Sequence, residues 1–124
     1  MRLAGLLLAA LPAHAADPTI LATPGGIRLG VMGPKPAAPA PTVFFLGGDI
    51  VDSLGQQRFR DGQAALGSNV LAVSIDLPGH GADQRPGEPG SLKTWRVRLE
   101  AGEDIAAHTA RRAGAVLDWL IQER

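Results

Sequence analysis

Two strand-like segments rich in apolar residues, each closed by a glycine-bearing turn, constrain this chain more than any other feature of its sequence. Thr42-Val43-Phe44-Phe45-Leu46 runs into Gly47-Gly48, and Asn69 to Leu77 (NVLAVSIDL) runs into Pro78-Gly79-His80-Gly81. The first run does not alternate apolar with polar residues, and the second is rich in Val, Ile and Leu. A strand with one wet face alternates with a period of two, whereas an unbroken run reads as a strand buried on both faces, the pattern of parallel sheets in α/β proteins. The segment between the runs predicts a helix. Ser53-Leu54-Gly55-Gln56 matches a capping box, in which a hydroxyl and an amide satisfy the free N–H groups of the first turn. Phe59, Ala65 and Leu66 supply a modest apolar stripe, Gly62 weakens the helix, and Gly67 is placed to end it.

The flanks extend this pattern. Between Pro18 and Met32, Thr19 to Thr23 is β-prone, Pro24-Gly25-Gly26 is a turn, and Ile27, Leu29 and Val31 alternate with Arg28, Gly30 and Met32. That is a hairpin with one wetter face. Gly33 to Pro41 carries four prolines in nine residues and reads as an extended surface loop. Residues 82 to 102 are polar and irregular, with room for one helical turn near Trp95. From Glu103 to Arg124, Ile105, Thr109, Ala113, Val116, Leu117 and Leu120 recur at helical spacing, with Glu103 and Asp104 where the helix dipole favours negative charge. A hairpin followed by strand–helix–strand–helix predicts an α/β fold with a parallel sheet.

The first residues are a separate object. Arg2, the short apolar run Leu3 to Leu11, Pro12 and Ala13-His14-Ala15 match a secretory signal peptide cut after Ala15. The run is far shorter than the roughly 20 residues needed to span a bilayer. The expected domain layout is therefore a signal over 1–15 and one folded portion over 16–124, with a secreted or periplasmic product. Cysteine is absent, which excludes disulfides and thiolate metal sites. Lys+Arg and Asp+Glu both count 12, and no basic stripe points to nucleic acid.

Asp76-Leu77-Pro78-Gly79-His80-Gly81 resembles the D-x-P-G-x-G turn after a central strand of α/β-hydrolases. In that family an earlier buried strand also ends in a small-residue turn, here Gly47-Gly48, one helix upstream. The helix ending Leu117-Asp118-Trp119-Leu120 is similar to the one leading into the strand before the nucleophile. The resemblance covers residues 19 to 124 and implies the N-terminal part of an α/β-hydrolase sheet, incomplete as it stands. Within the family, the long charged segment before Leu117 is more similar to the dienelactone-hydrolase and oligopeptidase branches than to a compact lipase. The strand Thr42–Leu46 would lie centrally, paired with Asn69–Asp76 on one side.

The resemblance also implies a chemistry. Acyl transfer needs fixed N–H donors for an oxyanion, and in this family one comes from the turn after the first buried parallel strand. By position the donor is the N–H of Gly48 or of Asp49, although Gly47 stands where the family often has His, and Asp49 adds a negative charge. The alternative is that the glycines do no more than make a tight turn. The nucleophile and second donor come from G-x-S-x-G, and none of Ser53, Ser68, Ser74 and Ser91 has glycine two residues away on both sides. Ser53 reads as a helix cap and Ser74 as a strand residue. The family's acid and histidine lie later, so Asp76, Asp83, Asp104, His80 and His108 form no triad; Asp76 and His80 belong to a structural turn. Asp104 and His108 share a helix face, but two ligands make no metal site. Neither G-x-G-x-x-G nor a Lys-Ser/Thr pair follows Gly47-Gly48, so no nucleotide or other cofactor is implied. The expected function is a secreted serine-type hydrolase of small ester or peptide substrates, represented by a fragment without its nucleophile. The alternative is a non-catalytic binding protein on the same scaffold. Oligomeric state is left open.

Overall fold

A computed structural model describes residues 17–33, 39–67 and 69–123. The expected signal peptide over 1–15, most of the proline-rich loop, and Ser68 lie outside the described residues. The hairpin is present: β1 (Thr19–Ala22) pairs antiparallel with β2 (Arg28–Met32), with Thr19 opposite Val31 and Ala22 opposite Arg28. The two apolar-rich segments become β3 (Thr42–Phe44) and β4 (Leu71–Ile75), which pair in parallel, Phe44 opposite Val73. β4 also pairs antiparallel with β2, so the sheet is mixed and its order is β1-β2-β4-β3.

Four α-helices and a short 3-10 turn (Gly81–Asp83) complete the described chain. α1 (Ile50–Gly55) and α2 (Gln57–Leu66) connect β3 to β4; α3 (Ser91–Glu100) and α4 (Ile105–Glu123) follow β4. The alternation of side chains along β2 and β4 sends Leu29, Val31, Leu71, Val73 and Ile75 to one face, where Val116 and Leu120 of α4 cover them. Phe44, Ala113 and Trp119 pack around the same cluster. The opposite face presents small residues, and α1 lies close against it. A Cβ on Gly30 would stand 2.3 Å from Ile50 Cγ2 and 2.9 Å from Leu54 Cδ1, so only glycine admits α1 at this distance. Ile50 and Leu54 are thereby fully buried. No described helix is long and apolar enough to cross a membrane.

Four expectations are corrected. β3 is three residues long and half-buried, because among the described residues it pairs only with β4 and its other edge is open. The first helix starts before Ser53, and its cap is Asp49, whose carboxylate accepts from the Asp52 N–H at 2.8 Å. Ser53 lies inside the helix, fully buried, with its hydroxyl turned back to the Gly47 N–H at 2.8 Å. The segment expected to be irregular holds a ten-residue helix, α3. Finally, Leu117 lies on the outer side of α4, while Val116 and Leu120 are the buried residues.

Candidate functional site

β3 and β4 run in parallel, so the turns at their C-terminal ends emerge side by side. They are tied to each other directly. The Leu77 N–H donates to the Gly48 carbonyl at 2.9 Å, and the Ile50 N–H donates to Asp76 Oδ1 at 3.1 Å. Asp76 is completely buried and organises both turns: Arg28 reaches Oδ2 through Nε at 3.2 Å, the Ala82 N–H reaches the same oxygen at 3.3 Å, and Arg112 donates to the Asp76 carbonyl at 2.8 Å. A buried carboxylate is tolerable only when paired and hydrogen-bonded, and this one is. The expected structural role of Asp76 therefore holds. Its arginine partner, Arg28 on β2, carries no sequence signal.

The glycine turn presents backbone rather than side chains. Gly48 is buried with φ +149°, a conformation that side-chain-bearing residues rarely adopt, and its carbonyl is already bound. Among the described residues, the N–H groups of Gly48 and Asp49 have no protein acceptor. Three of the first four N–H groups of α1 are by contrast satisfied, Ile50 by Asp76, Asp52 by the Asp49 carboxylate and Ser53 by the Asp49 carbonyl at 2.9 Å, and that of Val51 has no protein acceptor among the described residues. Capping thus engages the Asp49 charge that stands beside the expected oxyanion donors.

His80 closes the turn from the other side. Its ring Cδ2 and Nε2 lie 3.4 and 3.9 Å from the place a Cβ would take on Gly48. Its Nδ1 is 3.0 Å from the Pro78 carbonyl, to which the Trp95 indole N–H also donates, and the two rings meet edge to face with centroids 6.1 Å apart.

Behind this turn lies a buried ionic cluster. Arg98 of α3 is 2% exposed and binds Asp83 Oδ2 at 2.7 Å, the Asp83 carbonyl at 2.8 Å, and both Glu88 oxygens at 2.7 and 2.8 Å. Asp83 also accepts from the Gly79 N–H at 2.9 Å and faces His108 and Arg112 of α4 at 3.3 and 3.4 Å. Burial would raise the Asp83 carboxyl, but the Gly79 N–H, Arg98, His108 and Arg112 together hold it below its ordinary value. The hydrogen bonds from Arg98 bring Glu88 down to about 2. At the surface, Arg85 bridges to Glu103 at 2.6 Å. This cluster fastens the loop after β4 to α3 and α4.

Of the residues singled out in the sequence, the structure brings Gly47, Gly48, Asp49, Asp76 and His80 together. It separates Asp104 from His108: the Asp104 carboxylate caps α4 by accepting from the Ala107 N–H at 3.0 Å, while His108 turns to Asp83. Among the described residues, no group of three His, Asp or Glu could hold a metal ion, and neither His80 nor His108 has a serine hydroxyl as partner. Ser74 is buried, its hydroxyl bound to the Ile75 carbonyl at 3.3 Å, and the Ser91 N–H donates to the Gly79 carbonyl at 2.9 Å. Trp95 and Arg98 hold the His80 loop and carry little sequence signal. The one signal available was the turn-to-turn spacing of Thr94 and Arg98 with Trp95 between them. Comparison with protein-family models, with curated proteins and with solved structures finds no match.

Proposed function

We propose that the Gly47–Asp49 turn is the acyl-oxygen site of an exported serine-type hydrolase of ester or peptide bonds. The observation that carries this reading is the pair of Gly48 and Asp49 N–H groups without a protein acceptor, at the C-terminal ends of two adjacent parallel strands. Ligands of α/β sheets bind at that end of the strands, where backbone donors converge without side chains in the way. Fixed N–H groups of this kind stabilise charge developing on a carbonyl oxygen. The sheet supports the same reading. A strand after α4, paired to the open edge of β3, would place β3 centrally, as the α/β-hydrolase resemblance implies. No serine among the 124 residues stands in a G-x-S-x-G turn, so a nucleophile from such a motif would have to lie elsewhere.

Two measurements test the proposal. A fluorophosphonate probe should leave this chain unlabelled; stoichiometric labelling of any of its serines would contradict the assignment of roles. The coding sequence beyond Arg124 should contain G-x-S-x-G between a strand and a helix. A complete gene without it would leave a binding protein that uses the same turn without chemistry. For export, mass spectrometry of protein recovered outside the cytoplasm should give Ala16 as the first residue, and an intact Met1 there would overturn the signal reading.

A further inference from the structure

The protonation pattern of His80 follows from its partners. A carbonyl oxygen accepts hydrogen bonds and cannot donate them. Nδ1 lies 3.0 Å from the Pro78 carbonyl, so Nδ1 carries the proton and neutral His80 keeps a lone pair on Nε2. The Trp95 indole bonds to the same carbonyl and its ring stands against the imidazole at 71°, which fixes the ring's direction from two sides. Nε2 has no protein partner among the described residues, and it lies 3.9 Å from the Cβ position of Gly48. Beside the turn there are therefore two N–H donors and one nitrogen acceptor. An ester carbonyl has use for the donors alone. An amide also carries an N–H that needs an acceptor.

We propose that His80 is the specificity-determining residue of the Gly47–Asp49 turn: its Nε2 accepts the N–H of a bound amide and so favours amides over esters of the same shape. This rests on the turn being an acyl-oxygen site. The Trp95 and Pro78 contacts position the ring but do not touch the ligand. One net hydrogen bond corresponds to a preference of roughly three- to tenfold.

The test uses the isotope-labelled full chain, with N-methylbenzamide and methyl benzoate as the probes, followed by NMR. The His80 ring should show a proton on Nδ1 and none on Nε2. N-methylbenzamide should move the Gly48 and Asp49 amide signals and the Nε2 signal together, and bind roughly three- to tenfold more tightly than methyl benzoate. His80→Phe keeps an aromatic edge against Trp95 and should bind the two probes equally. A proton on Nε2, equal affinities in the unaltered chain, or a preference that survives His80→Phe would each overturn the proposal. If both probes move Gly48 and Asp49 with equal affinity, the acyl-oxygen site stands and only the role of His80 falls. If neither probe moves them, the reading of the turn fails and the proposal fails with it. Should His80→Phe not fold, the tautomer and the Nε2 response of the unaltered chain decide alone.

Discussion

The two helices that follow β4 are held by opposite means. Beyond His108 and Arg112, which face the charged loop, α4 lies on hydrocarbon: Val116 and Leu120 cover Leu29, Val31, Leu71, Val73 and Ile75. α3 lies on charge: its buried residues are Thr94 and Arg98, and it turns Leu92, Val97 and Leu99 to the outside. The first arrangement gains from every apolar area removed from water and asks little of geometry. The second must recover the cost of desolvating an arginine and two carboxylates through well-aligned bonds, and such a cluster is often no more stable than a hydrocarbon one of the same size. What the ionic arrangement supplies is direction. Arg98 fixes Asp83 and Glu88, Asp83 holds the Gly79 N–H, and the neighbouring Pro78 carbonyl aims the His80 ring. The apolar helix builds the sheet's core, and the polar helix shapes the turn above it.

The largest expected effect comes from breaking the ionic side. Arg98→Ala leaves Asp83 and Glu88 without their main partner, and loss of one member of a buried ion pair costs about 3–5 kcal/mol. Urea unfolding should show it, and the His80 ring signals should shift as the loop loosens. A loss below about 1 kcal/mol would mean that the cluster is solvated and that the contrast with α4 is overstated. On the apolar side, Leu120→Ala should cost about 2–5 kcal/mol from lost burial and a residual cavity. Here the His80 signals should stay in place. If they moved as much as in Arg98→Ala, the two helices would form one cooperative unit and the division between them would fail.

The face of the sheet opposite α4 gives a smaller effect. Gly30→Ala puts a methyl group into Ile50 and Leu54, and overpacking of this kind costs about 1–3 kcal/mol. Since α1 follows the Gly47–Asp49 turn directly, the variant should also move the Gly48 and Asp49 amide signals. Unchanged signals at unchanged stability would show that α1 can retreat freely, and that the turn is less firmly placed than Asp76 and Ser53 imply.

The same contrast explains what could be read from the sequence. β2 and α4 were legible because apolar residues that recur with the period of the element include the buried ones, Leu29 and Val31 on β2 and Val116 and Leu120 on α4, and β4 because its Val, Ile and Leu content suits a buried strand. α3 was not legible: its inward residues are polar, so a reader looking for an apolar face finds the outer one, Leu92 and Leu99, and sees no helix. Ser53 misled for a related reason. A serine before Leu54 and three residues ahead of Gln56 looks like a cap, but Asp49 sits nearer the true start, and the buried Ser53 hydroxyl instead holds the Gly47 N–H. β3 is drier in sequence than in structure, because a strand's residues do not say whether both of its neighbours are present. The site was half legible. The glycines and DLPGHG marked both turns, but nothing in the sequence joins Arg28 to Asp76 across the sheet or orients His80.

The mildest perturbation is acid, and it should separate the two helices. Glu88 is held at about 2 by Arg98, below its ordinary value of 4.5, and Asp83 is held below its ordinary 3.8 despite burial, by Gly79, Arg98, His108 and Arg112. Both carboxyls bind protons less readily folded than unfolded. Their contribution to stability is therefore complete above the unfolded values and is lost as pH falls through the folded ones. For Glu88 that window runs from 4.5 down to about 2. Asp83 also faces His108 and Arg112 of α4, but the Val116 and Leu120 contact farther along that helix consists of hydrocarbon alone. The chain carries one tryptophan in each region, Trp95 on α3 and Trp119 against the core. With fluorotryptophan in both positions, fluorine NMR should show the Trp95 signal changing within this window while the Trp119 signal holds. Local opening of one element before the rest is ordinary for a region with few apolar contacts. Coincident changes at Trp95 and Trp119 would instead show a single cooperative transition. The ionic and hydrocarbon sides would then be parts of one structure that differ in chemistry but not in stability.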